Sequence, residues 1–231
     1  MPKKVARRFR AWSFSRWRDY EGCPARANWK YLEKLQVEEE RSPALERGSA
    51  VHAEAQKFVR EGGKLPKSLD SFEHEFAILR RAYESGTAEV ITEEQWALND
   101  RWKPTGWFDG DAWVRTALDS MIFDARSRRA VIIDYKTGKI RKEEQEPQLE
   151  LYAAVALSRI DGIDEVSSSL WYLDHGIATR RVYPRAKLEG LRKAWEKRTK
   201  KMLTDERFDP TPSDACRWCP FQKSKGGPCK Y

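Results

Sequence analysis

The chain has 231 residues, of which 40% are hydrophobic and 35% are charged, and its ten tryptophans argue against a disordered polypeptide. Its formal net charge of +8 is unevenly distributed, because residues 1–34 and 185–231 each carry a net +7 whereas residues 35–184 carry −6. A basic surface attracts a polyanion and an acidic patch attracts a divalent metal, so the distribution favours an acidic, metal-binding middle between two basic ends. Solvated surface charge is the alternative explanation for each segment.

Helical periodicity dominates the first third of the chain. Apolar residues at helical spacing predict helices over about 13–35, 43–61 and 68–85. Ser42 is the predicted N-cap of the second helix, which begins at a proline, and Gly62 follows its last residue.

After Gly86 the sequence changes to short β-type runs separated by turn formers. We predict, in chain order, strands over 90–92 and 96–98, a loop over 99–110, an antiparallel hairpin of 111–123 with 130–135, a helix over 147–160, strands over 166–173 and 177–183, and a basic helix over about 185–203. The apolar run 131–133 is typical of a central strand that is covered on both faces. This order of elements predicts a mixed α/β fold with one central sheet.

The chain contains no run that approaches the roughly 18 uninterrupted apolar residues of a membrane span. The basic N-terminus lacks the apolar segment of a secretory signal, so we expect a cytoplasmic protein that contacts no membrane. In that compartment, four cysteines indicate a metal site or chemistry more often than disulfide bonds.

Two carboxylates and a lysine form the most informative cluster. Asp119 lies inside a strand-like run, and Asp134 and Lys136 follow the apolar run 131–133 two residues apart, so the latter two share one face of a strand. The predicted hairpin brings Asp119 beside them. Such a set suits Mg²⁺ or Mn²⁺ near a phosphate, where the lysine orients water or offsets charge. An ordinary ion pair at the strand end is the alternative.

Three further residues are candidates for the same site. Gln148 and Tyr152 are four residues apart and share a helix face, from which they could reach a phosphate or base; core packing is the alternative for Tyr152. His52 follows Gly48 on the second helix, where small residues let the helix approach a sheet closely. A lone histidine is otherwise an ordinary surface residue.

The cysteines fall into a C-terminal trio and one distant residue. Cys216 and Cys219 form a C-x-x-C pair, Cys229 follows after nine residues, and Cys23 is the remaining thiol. A C-x-x-C pair is typical of a zinc site, a redox pair or an iron–sulfur cluster. Together the four thiols would suit a [4Fe–4S] cluster or a structural zinc ion, and unpaired structural cysteines are the alternative.

The chain resembles the RecB/AddB-type nucleases of the PD-(D/E)XK superfamily, and in particular their iron-staple members, which include CRISPR-associated RecB-like exonucleases and related phage proteins. The matching blocks follow the family order along nearly the whole chain: 12–24 with Cys23, 48–52 with His52, Asp119, 134–138 with Lys136, Gln148 with Tyr152, and Cys216, Cys219 and Cys229. The resemblance implies a restriction-endonuclease-like fold, in which a mixed central sheet is flanked by helices.

It also implies a single nuclease domain over 1–231. The domain would comprise a mainly helical part, 1–85, which contains Cys23 and His52, a catalytic sheet and helix, 86–184, and a basic helix with the cluster segment, 185–231.

The resemblance implies a role for each site residue. His52, Asp119, Asp134 and the Tyr135 carbonyl would hold Mg²⁺ or Mn²⁺, Lys136 would assist the attacking water, Gln148 and Tyr152 would complete the catalytic motif, and Cys23, Cys216, Cys219 and Cys229 would hold a [4Fe–4S] cluster that joins the N- and C-terminal segments. Asp109 and Asp111 are rival acids for the position of Asp119, and Glu94 is a candidate for an additional carboxylate.

The implied activity is a metal-dependent DNA exonuclease acting on single strands or DNA ends, in recombination or repair, phage DNA processing or CRISPR adaptation, within a bacterial, archaeal or phage-infected cell. The chain has no P-loop motif, so it would act alone or beside a separate recombinase, helicase or CRISPR adaptation protein. Its basic ends would hold phosphates, and Trp12, Trp17 or Trp218 would stack on bases. The alternative is a non-catalytic nucleic-acid-binding module with a structural Cys₄ zinc site.

Overall fold

The computed structural model describes residues 8–37 and 43–231, so the predicted cap Ser42 lies outside the described residues. The chain forms two compact parts. The larger part comprises residues 42–193, and the smaller part combines residues 1–41 with 194–231. Within the described ranges, no helix has both the length and the apolar character needed to cross a membrane.

A six-stranded sheet forms the centre of the larger part. Its strands are β1 (Glu89–Leu98), β2 (Pro104–Thr105), β3 (Val114–Asp124), β4 (Arg129–Lys136), β5 (Glu165–Tyr172) and β6 (Ile177–Pro184). They lie in the order β2-β1-β3-β4-β5-β6; β4 and β5 are parallel, and every other neighbouring pair is antiparallel. The predicted hairpin is therefore present as β3 and β4.

The α-helices are α1 (Phe14–Gly22), α2 (Pro24–Ala27), α3 (Pro43–Glu61), α4 (Glu73–Ser85), α5 (Lys142–Arg159) and α6 (Leu188–Thr204). Short helical turns of other types cover Asn28–Leu32, which is π-helical, and Lys67–Phe72, Arg185–Lys187, Asp214–Trp218 and Lys223–Lys225, which are 3₁₀-helical. The predicted helix over 43–61 has the observed bounds, and Gly62 follows it in the left-handed conformation with φ of 75°.

Helices cover both faces of the sheet. Because side chains alternate along a strand, Ile133 and Tyr135 of β4 face α3 and α4, where they join one apolar cluster. On the opposite face, Leu149 of α5 packs with Leu170 and Tyr172 of β5. The β4 strand lies between β3 and β5, as its continuous apolar run predicts.

The predicted helix over 13–35 is wrong as one uninterrupted element. Cys23 is extended, with φ of −164° and ψ of 109°, and separates α1 from α2. The cause is Pro24, which disfavours helical backbone at the preceding residue and is well suited to the first position of a new helix. The helix predicted over 68–85 similarly divides into a 3₁₀ turn and α4, with Phe72 between helical geometries.

Two other boundaries differ from prediction. The strands predicted over 90–92 and 96–98 are parts of the single strand β1. The helix predicted to begin at Pro147 begins at Lys142, so Pro147 lies inside α5, where it removes one backbone donor without ending the helix.

The smaller part has an aromatic core. Trp12 and Trp195 stack with ring centroids 5.6 Å apart, and Trp17 packs edge-on against Trp195 at 5.1 Å. The hydroxyl of Tyr20 donates to Asp205 Oδ2 at 2.7 Å, which ties α1 to the segment after α6. Trp12 and Trp17 are therefore packing residues, which leaves Trp218, 77% exposed, as the predicted stacking residue that remains accessible.

Candidate active site and cysteine cavity

Three carboxylates lie at one level across adjacent strands. The pairing of β3 with β4 ends at Ser120 and Ile133, so Asp119 and Asp134 are the next residues along each strand. On the other side of β3, Thr92 of β1 pairs with Ser120 and Glu94 pairs with Leu118. Glu93 therefore lies across from Asp119, between these two pairs. Glu93 has a φ of 52°, and this left-handed backbone interrupts the regular pairing. The sheet thus opens around an acidic cluster.

Asp119 takes the place of a strand partner in this opening. Its Oδ2 accepts a hydrogen bond from the backbone N–H of Tyr135 at 2.6 Å. Burial raises the pKa of Asp119, and the charge of Asp134 raises it further, so that it reaches about 6. A bound cation would offset the cost of ionising this buried carboxyl group beside a second carboxylate.

His52 reaches the cluster from α3. Its Nδ1 lies 3.3 Å from Asp119 Oδ1 and 3.6 Å from Glu93 Oε1, and its Nε2 lies 3.1 Å from the Tyr135 carbonyl oxygen. Burial lowers the pKa of His52, but the hydrogen bonds with Asp119 and Glu93 outweigh burial and raise it to about 10. The cluster therefore favours a positive charge at the position of Nδ1.

Gly48 permits this approach of α3. A Cβ atom at Gly48 would lie 3.3 Å from Thr137 Oγ1, so a larger residue would require a small shift of the Thr137 side chain. The predicted close approach of this helix to the sheet is thus seen at Gly48.

The donor set fits a hard divalent cation. One ligand atom from each of His52, Glu93 and Asp119 lies within 4.8 Å of the other two. Carboxylate oxygens with one imidazole suit Mg²⁺ or Mn²⁺. Asp134 is 2% exposed, and its buried Oδ2 forms a close ion pair with Lys136.

Helix α5 supplies a second layer around Asp134 and Lys136. Gln148 donates from Nε2 to Asp134 Oδ1 at 3.1 Å and accepts from Lys136 Nζ at 3.0 Å. The Tyr152 hydroxyl lies 3.3 Å from Asp134 Oδ1 and donates to the Ala117 carbonyl at 2.8 Å. Burial holds the pKa of Tyr152 well above its ordinary value, so it stays a neutral hydroxyl. Both side chains hold the acid–lysine pair in place.

The other candidate acids lie elsewhere. Asp109 accepts from the Gly106 backbone at 2.8 Å, and Asp111 accepts from Thr105 Oγ1 at 2.6 Å, so both stabilise the loop before β3. Glu94 accepts from Trp96 Nε1 at 2.8 Å. The additional carboxylate at the site is Glu93, which sequence reasoning missed. Only its position directly before the singled-out Glu94 pointed towards it.

An ion pair supports the segment that follows Lys136. Arg47 of α3 contacts both carboxylate oxygens of Asp174, with one N–O distance of 2.8 Å. Asp174 Oδ2 also accepts from the Gly138 backbone at 2.6 Å. The Arg47 hydrogen bond lowers the pKa of Asp174 to about 2 against a smaller opposing effect of burial.

The four cysteines line one cavity in the smaller part. Cys23, Cys216, Cys219 and Cys229 are all free thiols around a cavity of about 110 Å³. Backbone N–H groups point at two of the sulfurs: Thr211 donates to Cys23 Sγ at 3.5 Å, and Ser213 donates to Cys216 Sγ at 3.3 Å. The residues predicted to share one site therefore face a common space.

Comparison with known proteins points to one family. A sequence profile described as the PD-(D/E)XK nuclease superfamily matches residues 11–224. No curated protein sequence matches the chain significantly. The crystal structure of SSO0001 is similar at 13% sequence identity and a TM-score of 0.47, with 99% of this chain and 90% of that chain covered. The open mixed sheet with flanking helices agrees with the restriction-endonuclease-like fold of the superfamily, which confirms the predicted fold class.

Proposed function

The chain belongs to the PD-(D/E)XK nuclease superfamily, and we propose that it is a metal-dependent exonuclease that hydrolyses phosphodiester bonds in DNA. The observation that carries this proposal is the acidic opening in the sheet, where Asp119 and Asp134 meet His52 and Lys136. Its RecB-like subtype rests on the order of sequence blocks that includes His52, the Asp134 segment and the Gln148–Tyr152 pair.

In this proposal His52, Asp119, Asp134 and the Tyr135 carbonyl hold the ion. Bound Mg²⁺ or Mn²⁺ would polarise a phosphoryl oxygen and lower the pKa of a bound water. Lys136, adjacent to Asp134, supplies a positive N–H donor that orients the attacking water and offsets charge on the pentavalent phosphate. Gln148 contacts both members of that pair and keeps them aligned.

The DNA is proposed to be single-stranded or a duplex end. Residues 215–231 contain four basic side chains and no acidic one, and Trp218 is 77% exposed within this segment. Basic side chains interleaved with an exposed aromatic ring suit a single strand, because the backbone contacts the charges and a base stacks on the ring.

We further propose that Cys23, Cys216, Cys219 and Cys229 bind a [4Fe–4S] cluster. Their shared cavity and the two N–H···S contacts support a metal cofactor there. The choice of a [4Fe–4S] cluster over zinc is proposed from the resemblance to the iron-staple nucleases.

The absorption spectrum and metal content of anaerobically purified protein distinguish an iron–sulfur cluster from zinc. An iron–sulfur cluster gives a brown sample with a broad absorption band near roughly 400 nm and stoichiometric iron and sulfide. A colourless sample with stoichiometric zinc contradicts the cluster and leaves the nuclease proposal intact.

The cellular role is proposed from the same resemblance. The protein would act in the cytoplasm in recombination or repair, phage DNA processing or CRISPR adaptation. A separate helicase, a recombinase or a CRISPR adaptation protein is the proposed partner.

The deciding experiment is digestion of end-labelled linear and closed circular DNA, single- and double-stranded, with Mn²⁺. We expect labelled mononucleotides or short oligonucleotides from linear DNA and no cleavage of circles. The Asp134→Ala and Lys136→Ala variants should lose activity at least about 100-fold. Cleavage of circles would contradict the exonuclease assignment, and metal-dependent DNA binding without cleavage would favour a non-catalytic binding module.

A further inference from the structure

Glu93 is the one carboxylate of the acidic opening that has no role in the proposed mechanism, and we propose that it is a further ligand of the divalent ion held by His52 and Asp119. This inference rests on the proposed nuclease function, because that function requires the ion. It adds a ligand from β1 to His52, Asp119 and Asp134, and it makes the Tyr135 carbonyl the acceptor that orients the His52 ring instead of a ligand of this ion.

The backbone places the Glu93 carboxylate at the site. Glu93 lies across from Asp119 in the strand register and has a φ of 52°, which non-glycine residues seldom adopt within a strand. Arg60 anchors the preceding residue, because it donates from Nε to the Thr92 hydroxyl Oγ1 at 2.7 Å and from Nη2 to the Thr92 carbonyl at 3.0 Å. A strained residue that is anchored in this way is typical of a functional position.

The hydrogen bonding of His52 identifies the nitrogen that faces Glu93. The Tyr135 carbonyl oxygen can only accept, so His52 Nε2 carries the proton of their 3.1 Å contact. Nδ1 then faces Glu93 and Asp119, at 3.6 and 3.3 Å. Metal-binding histidines characteristically donate their other N–H to a carbonyl or carboxylate, and an ion here would replace the Nδ1 proton.

Ligand spacing supports one shared ion. The chosen atoms of His52, Glu93 and Asp119 all lie within 4.8 Å of one another, and no other group of this kind occurs in the described ranges. Glu93 therefore lies close enough to His52 and Asp119 to share one ion with them.

The adjacent Glu94 provides a matched control. It has the same charge and the same strand, but its Oε1 accepts from Trp96 Nε1 at 2.8 Å. Substitution of Glu94 by Gln removes one negative charge next to the site without removing a proposed ligand, so it separates coordination from general electrostatic attraction.

The test is a titration of the full, metal-free chain with Mn²⁺. Calorimetry and the electron paramagnetic resonance signal of free Mn²⁺ each measure the binding affinity. We expect Glu93→Gln to weaken Mn²⁺ binding by about tenfold or more, while Glu94→Gln stays within about twofold of the parent. Equal affinity in Glu93→Gln and the parent would overturn the inference. A parent chain that binds no Mn²⁺ overturns the proposed function and the inference with it.

A Glu93→Gly variant excludes a merely structural role. Glycine adopts a φ of 52° without strain, so this variant keeps the backbone conformation of the parent and loses only the carboxylate. Its rise in melting temperature on addition of Mn²⁺ should be smaller than that of the parent. A lower melting temperature without metal, together with an undiminished rise, would overturn the inference.

Discussion

The carboxylate of Asp119 accepts the backbone N–H of Tyr135 at 2.6 Å, in the position where a strand carbonyl would otherwise bond. Asp119 thereby joins two functions: it closes the sheet locally and is proposed to hold the ion. The two functions respond differently to substitution, because an amide oxygen can replace the first and not the second.

Substitution of Asp119 should separate these functions. Asp119→Asn keeps an acceptor for Tyr135 N–H, whereas Asp119→Ala leaves that buried donor unpaired at a cost of about 1–3 kcal/mol. We expect both variants to lose DNA cleavage, and Asp119→Ala to be the less stable of the two by that amount in urea unfolding. Equal stability of the two variants would show that the hydrogen bond does not support the sheet.

Gln148→Ala should reduce cleavage about 10- to 100-fold, because Asp134 and Lys136 lose the side chain that contacts both of them. Gln145→Ala is the control on the same helix, since Gln145 Oε1 accepts from the Tyr172 hydroxyl at 2.9 Å instead. Initial rates with a labelled oligonucleotide and Mn²⁺ measure both variants. Equal losses in the two would mean that α5, rather than the Gln148 contact, is responsible.

The Arg47–Asp174 pair should make stability depend on pH. The folded-state pKa of Asp174 is lowered to about 2, so its contribution is complete above the unfolded pKa near 4 and is lost as the pH falls towards 2. Asp174→Asn should therefore be less stable than the parent at pH 7 by about 1 kcal/mol, a value reduced for partial solvent screening. Urea unfolding at a series of pH values measures the difference, which should shrink below about pH 4. A difference that stays constant down to pH 3 would exclude this ionisation as its origin.

Trp218→Ala should weaken binding to single-stranded DNA by about 1–3 kcal/mol, the usual contribution of one base stacked on an aromatic ring. Phe108→Ala is the control, because Phe108 is 88% exposed but lies in a loop outside the basic segment. Fluorescence anisotropy with a labelled oligonucleotide, in the absence of metal so that no cleavage occurs, measures both. Weakening by Phe108→Ala alone would move the DNA contact to the loop before β3.

Much of the larger part could be predicted because its patterns are local. The apolar run of β4 predicted a central strand, and the two-residue spacing of Asp134 and Lys136 predicted that they share a face. The hairpin followed from a polar turn between two β-type runs, and it placed Asp119 beside Asp134.

The remaining features depend on tertiary contacts that no local pattern encodes. Glu93 joins the cluster through a left-handed backbone that opposes strand propensity, and Arg60 from α3 anchors the preceding residue. In contrast, the break at Cys23 had a local signal, because Pro24 disfavours helix at the residue before it. Pro147 misled in the other direction, since a proline at the predicted helix start lies inside α5.

The three strands that carry Glu93, Asp119 and Asp134 lie close together in the sequence, which has a consequence for folding kinetics. β1, β3 and β4 lie within 89–136 and pair antiparallel with one another, so their contacts are local in sequence and we expect this meander to form early. His52, the positive group that faces Glu93 and Asp119, lies on α3 outside this meander, so we expect its contacts with them to form later. Interactions that form after the folding transition state slow unfolding and leave the folding rate unchanged. A bound divalent ion should therefore lower the unfolding rate and prolong the lifetime of the folded protein, while the folding rate stays unchanged.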